Sequence, residues 1–150
     1  MRARSVDQEP FTAARRLVDA GLVGIGEPLR QPPADAEMAV ILTSREHNEK
    51  SARMLERFIC LPNQTLVWTR IDDDSFLLGE ITGPWRYDHS SAATIDGITN
   101  VRPARWMDEI CHRSAAPPGV VATFDRGGRN LQAIGDAEAA GESRTLWAEN

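Results

Sequence analysis

Lysine is nearly missing from this chain: Lys50 stands alone, and every other basic residue is arginine. Acidic residues outnumber basic ones, 22 to 17, for a formal net charge of -5. That balance excludes a uniformly basic coat. It argues against nucleic-acid binding through bulk electrostatics but leaves room for a local basic groove. Arginine suits planar, bidentate contact with phosphate or base edges. A GC-rich coding sequence produces the same bias, so composition alone does not choose. Cysteine is also scarce. Cys60 and Cys111 lie far apart with no CxxC spacing, which excludes a disulfide scaffold and points away from zinc. Free thiols in the cytoplasm are expected. No long apolar run occurs, so neither a signal peptide nor a transmembrane helix is expected.

What is present suffices for one domain with a real core: 150 residues, 41% of them hydrophobic. Residues 1–135 read as that domain. Residues 136–150 read as an acidic, Ala/Gly-rich, disordered tail in which Trp147 is the one residue suited to docking. Phe11, Ala14, Leu17 and Val18 recur at helical spacing, which predicts a helix from about Glu9 to Ala20. Gly24 to Pro28 reads as a turn or irregular strand, and Gln31 to Ala36 as loop. Met38 to Leu42 is a compact apolar run. Thr43 with Glu46 three residues on forms a capping box, predicting a helix that starts there and ends at Pro62-Asn63. Leu66–Ile71 and Phe76–Thr82 read as paired strands joined by the Asp72–Ser75 turn. His89 to Gly97 reads as loop and Asn100–Trp106 as strand. Gly119–Phe124 is helix or strand, and Leu131–Ile134 a last ordered piece. The order predicts an α+β domain with a curled, largely antiparallel sheet.

Enzyme signatures are mostly empty. Gly24 and Gly26 begin a GxGxxG, but Leu29 stands where the third glycine belongs. There is no GK[ST] and no G-x-S-x-G. Asn48 occupies the position, two before Lys50, where a restriction-nuclease metal site wants an acid. Asp72, Asp73 and Asp74 offer clustered oxygens, but a solvated hairpin turn explains them better. Cys111-His112 has no second ligand pair nearby, and His47 reads as a surface residue. No catalytic residue, metal site or cofactor is implied.

Aromatic residues make up only 6%, yet they include four tryptophans. Trp68, Trp85, Tyr87 and Trp106 fall in the strand-rich middle, where flat apolar faces beside polar atoms suit stacking on a base. Strand tryptophans more often belong to a core, Trp106 above all. Arg70, Arg86, Arg102 and Arg105 lie in the same stretches. Arg126 and Arg129 flank Gly127-Gly128. All six are candidates for contact with a nucleic-acid backbone.

The run Gly79-Glu80-Ile81-Thr82-Gly83, followed by Trp85-Arg86-Tyr87-Asp88 and then by Arg102, Arg105 and Trp106, resembles the PUA-like superfamily. It is most similar to EVE-type domains found with modification-dependent restriction systems. Gly24-Ile25-Gly26 looks like the family's early glycine turn. Ala104 stands where valine is more usual, Glu27 where a tryptophan often follows the glycine turn, and Asn100 where histidine is often found. The resemblance implies a PUA-like curled antiparallel β-barrel flanked by short helices. It also implies a pocket that receives a flipped or modified base. Trp68, Trp85 and Tyr87 are the candidate walls, and Asp88 the candidate acceptor for a base edge.

The expected function is therefore a non-enzymatic module reading a modified or flipped base, in defence against foreign DNA. The expected partner is DNA rather than RNA, with a separate nuclease or NTPase chain acting alongside. A protein- or small-ligand-binding module is the alternative of a different class. A small enzyme is the third, since ASCH-type relatives in the same superfamily include some.

Overall fold

The structure is a computed structural model that describes residues 11–126 and 137–149. Among these, helix α1 (Thr12–Asp19) leads into strand β1 (Leu22–Ile25). Helices α2 (Ala36–Glu46) and α3 (Glu49–Cys60) follow, then strands β2 (Leu66–Asp72), β3 (Ser75–Ile81) and the short β4 (Arg86–Tyr87). Helix α4 (Ser91–Asp96), strand β5 (Asn100–Trp106), the short β6 (Cys111–His112), α5 (Pro118–Asp125) and α6 (Ala137–Glu149) complete the order. The fold is α+β, with the strands in a curled antiparallel half-barrel.

The sheet runs β1-β5-β3-β2, with β4 on β5 and β6 on β3, and every pairing is antiparallel. Register puts Val67, Gly79, Ile81, Ala104 and Trp106 on one face and Trp68, Phe76 and Glu80 on the other. The first face carries the larger core, where Leu17, Leu55, Phe58 and Ile98 are fully buried. Each such side chain contributes roughly 1.5–3 kcal/mol on burial. On the second face Phe76 packs with Val120 of α5 and Ala139 of α6. Gly79 is a requirement of this packing: a Cβ there would lie 2.5 Å from the Trp106 ring, which covers it.

Three expectations need correction. The helix expected from Thr43 is two helices. Asp35 caps α2 by accepting from the Met38 amide, and Asn48 caps α3 by accepting from Ser51. Thr43 lies buried inside α2, and its hydroxyl donates to the Ala39 carbonyl. The loop from His89 to Gly97 contains α4, with Ser90 as its N-cap and Gly97 ending it at φ 79°. The tail expected to be disordered forms α6, with Ala139 and Ser143 buried. Gly119–Phe124 resolves as helix α5, and Leu131–Ile134 lies outside the described residues. Among the described residues, no helix is long and apolar enough to cross a membrane.

Candidate functional site

Asn100 opens β5 opposite both Ile25 and Tyr87, so three segments meet at one residue. It is 1% exposed. Its Nδ2 donates to the Gly26 carbonyl at 3.1 Å, and its Oδ1 accepts from Trp85 Nε1 at 3.0 Å. Gly24 permits this approach: a Cβ there would lie 2.8 Å from the Asn100 carbonyl oxygen. The Tyr87 hydroxyl accepts from the Leu29 amide at 2.9 Å. Both ends of the Gly26–Leu29 segment are therefore tied to the sheet.

The side chain of Glu27 points inward. Its carboxylate lies 2.7 Å from His47 Nδ1, while His47 Nε2 lies 2.6 Å from the Pro28 carbonyl oxygen. His47 is the C-cap of α2, so one residue at the α2–α3 junction also holds the segment. Glu27 and Asn100 each tie the Gly26–Leu29 segment to a different part of the fold. His47 read as a surface residue in sequence. Only the fold brings it to a segment about twenty residues earlier.

Asp88 follows β4 and is nearly buried. One oxygen accepts from the Ser90 amide at 3.0 Å, and the other lies 3.7 Å from Arg16. Arg16 also forms a two-point pair with the buried Asp96 at 2.6 and 3.1 Å. Burial opposes ionisation of Asp88. The Ser90 amide and hydroxyl, with the charges of Arg86 and Arg16, outweigh it and hold the carboxyl below its ordinary value. Beside this site the Thr99 hydroxyl is buried without a hydrogen-bond partner among the described residues.

Trp85 and Tyr87 both meet Asn100, the first through its side chain and the second through strand pairing, whereas the Asp88 carboxylate is engaged by Ser90 and Arg16 and Trp68 does not join them. Trp68 lies on the opposite face of the sheet, where its Nε1 donates to Ser143 of α6 at 2.9 Å. The arginines also separate. Arg102 is 3% exposed and donates to the carbonyls of Gly83, Phe58 and Leu61 and to Asn63 Oδ1. Its guanidinium caps the end of α3 and is closed to a phosphate. Arg105 reaches toward Glu80 at 4.0 Å and lies over the Trp147 ring at 4.5 Å, fastening α6 to the sheet. Arg70 is held by Asp73 and lies 5.5 Å from the Phe11 ring centroid. Arg86 and Arg126 are exposed, and Arg129 lies outside the described residues.

Asp72, Asp73 and Asp74 form the β2–β3 turn. Asp72 accepts from the Asp74 amide, and Arg113 contacts Asp74 at 3.4 Å and Asp125 at 2.7 Å. Among the described residues, no group of His, Cys, Asp or Glu is placed to hold a metal ion. Compared with models of known families, curated proteins and solved structures, the chain matches none.

Proposed function

We propose that this chain is a PUA-like, EVE-type module that reads a flipped or modified base in DNA at the Asn100 site. The observation that carries the reading is the setting of Trp85. Its ring is half-buried against the larger core and its indole N–H is bonded inward to Asn100, so what it offers a ligand is ring carbon rather than a hydrogen-bond donor. A pinned aromatic face suits stacking, which is worth roughly 1–3 kcal/mol per base. That return offsets the few kcal/mol of unstacking, which is least for a base that is damaged, mismatched or already unpaired. Arg86, exposed and next in sequence, supplies the adjacent backbone contact. The reader acts without catalysis of its own and passes the signal to a separate nuclease or NTPase chain.

Tryptophan fluorescence tests the reading. Matched DNA and RNA oligonucleotides, with and without 5-methylcytosine or N6-methyladenine, are titrated at low salt. Quenching that favours one modified DNA, disappears in Trp85→Ala and persists in Trp68→Phe is the expected result. The last variant matters because Trp68 lies on the other sheet face. Preference for RNA would move the ligand class. No quenching with any oligonucleotide would sink the reader in favour of a protein-interaction module.

A further inference from the structure

The imidazole of His47 stands between two acceptors. Nδ1 lies 2.7 Å from the carboxylate of Glu27, a residue only 7% exposed, and Nε2 lies 2.6 Å from the Pro28 carbonyl oxygen. An ionised carboxylate and a carbonyl only accept. A neutral imidazole has one N–H to offer, and the imidazolium has two. Both contacts therefore form only when the pair holds one proton more than an ionised Glu27 and a neutral His47 carry. Without that proton, one contact sets lone pair against lone pair. The His47 side chain is 27% exposed, so the proton exchanges with water. The other ties of the segment use neutral groups: the Asn100 amide on the Gly26 carbonyl and the Tyr87 hydroxyl on the Leu29 amide. Of the ionisable groups alongside, Glu46 accepts from the Arg30 amide at 2.8 Å. The side chains of Arg30 and Arg45, and those of Glu49 and Lys50 in the first turn of α3, are exposed, where solvent screens them.

We propose that Glu27 and His47 form a proton-operated latch on the Gly26–Leu29 segment and so regulate the site that the segment borders. The closed latch holds a proton that the open one releases, so rising pH opens it. Histidine is the side chain whose charge ordinarily changes between about pH 5 and 8, which sets the window of the switch. On opening, Glu27 and Pro28 come free of the α2–α3 junction while both ends of the segment stay tied to the sheet. Asn100 bonds both Gly26 and Trp85, so the change reaches the tryptophan through one side chain. What opening does to a bound base rests on the role proposed for Trp85. The latch itself does not.

The test needs no ligand. NMR of the full chain follows the His47 ring, the Leu29 amide and the Trp85 indole N–H from about pH 5.5 to 8.5. Hydrogen exchange, corrected for the intrinsic effect of pH, follows protection of the Leu29 amide. The Leu29 and Trp85 signals should move with the His47 titration, and Leu29 protection should fall roughly tenfold across it. Glu27→Gln is the decisive variant. Its carboxamide donates to the Nδ1 of a neutral imidazole and accepts from an imidazolium, so both contacts survive at every pH. The transition at Leu29 should vanish there, with protection staying high. In His47→Ala protection should be low and flat. The chain has two other histidines, and His89→Gln and His112→Gln should keep the transition. Leu29 and Trp85 signals that ignore the His47 titration overturn the proposal. So does a transition that persists in Glu27→Gln or in His47→Ala, or one that is lost with His89 or His112. A latch that works in a protein no oligonucleotide quenches would sink the base reader and leave the latch standing, and quenching without a pH transition would do the reverse.

Discussion

Arg102 uses its planar fork to gather carbonyls from the end of α3 and from Gly83, together with the Asn63 amide oxygen. Burial pushes its guanidinium below the ordinary value, although Cys60 acts the other way. A lysine carries its three donors on one nitrogen and cannot span the acceptors that the three guanidinium nitrogens reach. Arg102→Lys is expected to cost about 2–4 kcal/mol, since each buried acceptor left unmatched costs roughly 1–3 kcal/mol. A urea-unfolding midpoint checks this. Asp88 offers a second test, through acid. Its carboxyl is depressed in the folded state, so it contributes stability above the unfolded value near about 3.9. That contribution is lost as pH falls through the lower, folded value. Thermal unfolding of Asp88→Asn should therefore depend less on pH below about 4 than the unaltered protein does. A partial signal for Arg102 was legible in sequence. It shares the alternation of Ala104 and Trp106, the inward positions at that end of β5, and so points inward. The partners of Glu27 and His47 were not legible, because no periodic pattern links a turn to a helix end.

At the scale of elements, caps explain both what was legible and what was missed. Asn48 and Ser90 each place a side-chain acceptor over the first turn of a helix, worth about 1 kcal/mol each. Both signals were in the sequence, yet the capping box at Thr43 looked stronger and α4 was too short to show a period. The strands were read closely because alternation and the acidic turn fixed the hairpin. Helix α6 was missed because its composition is acidic and rich in small residues, and no apolar stripe marks a buried face. Its attachment rests on particular contacts: Ala139 in the second core, Ser143 beneath Trp68 and Trp147 beside Arg105. Ser143→Ala removes the acceptor of the Trp68 N–H and should loosen α6 by about 1 kcal/mol. Hydrogen exchange should show this as faster exchange of α6 amides, with β3 and β5 unchanged.

For the whole molecule, charge sets the terms of the proposed reading. The net charge is -5, Arg102 is buried, and Arg105 is committed to Glu80 and Trp147. Of the exposed candidates Arg86, Arg105 and Arg126, Arg105 lies over Trp147, which leaves Arg86 and Arg126 for a phosphate. Each phosphate neutralised on duplex DNA contributes a slope of roughly -0.9 to log affinity against log salt. The expected slope is therefore shallow, about -2. Titration across salt concentrations checks it, and a slope of about -5 would reveal a basic surface beyond these residues. The sequence by itself determined the α+β class, the central hairpin and the strand that follows, because alternation and turn chemistry act over a few residues. It also placed Trp85 and Tyr87 close to one another, since they are two residues apart in the chain. Tertiary structure alone decided that Trp68 faces away, that two of the arginines serve the fold, and that Asn100, Glu27 and His47 bind the site together. Those facts depend on which face of the curled sheet each residue takes and on contacts between segments far apart in the chain, and local pattern carries neither.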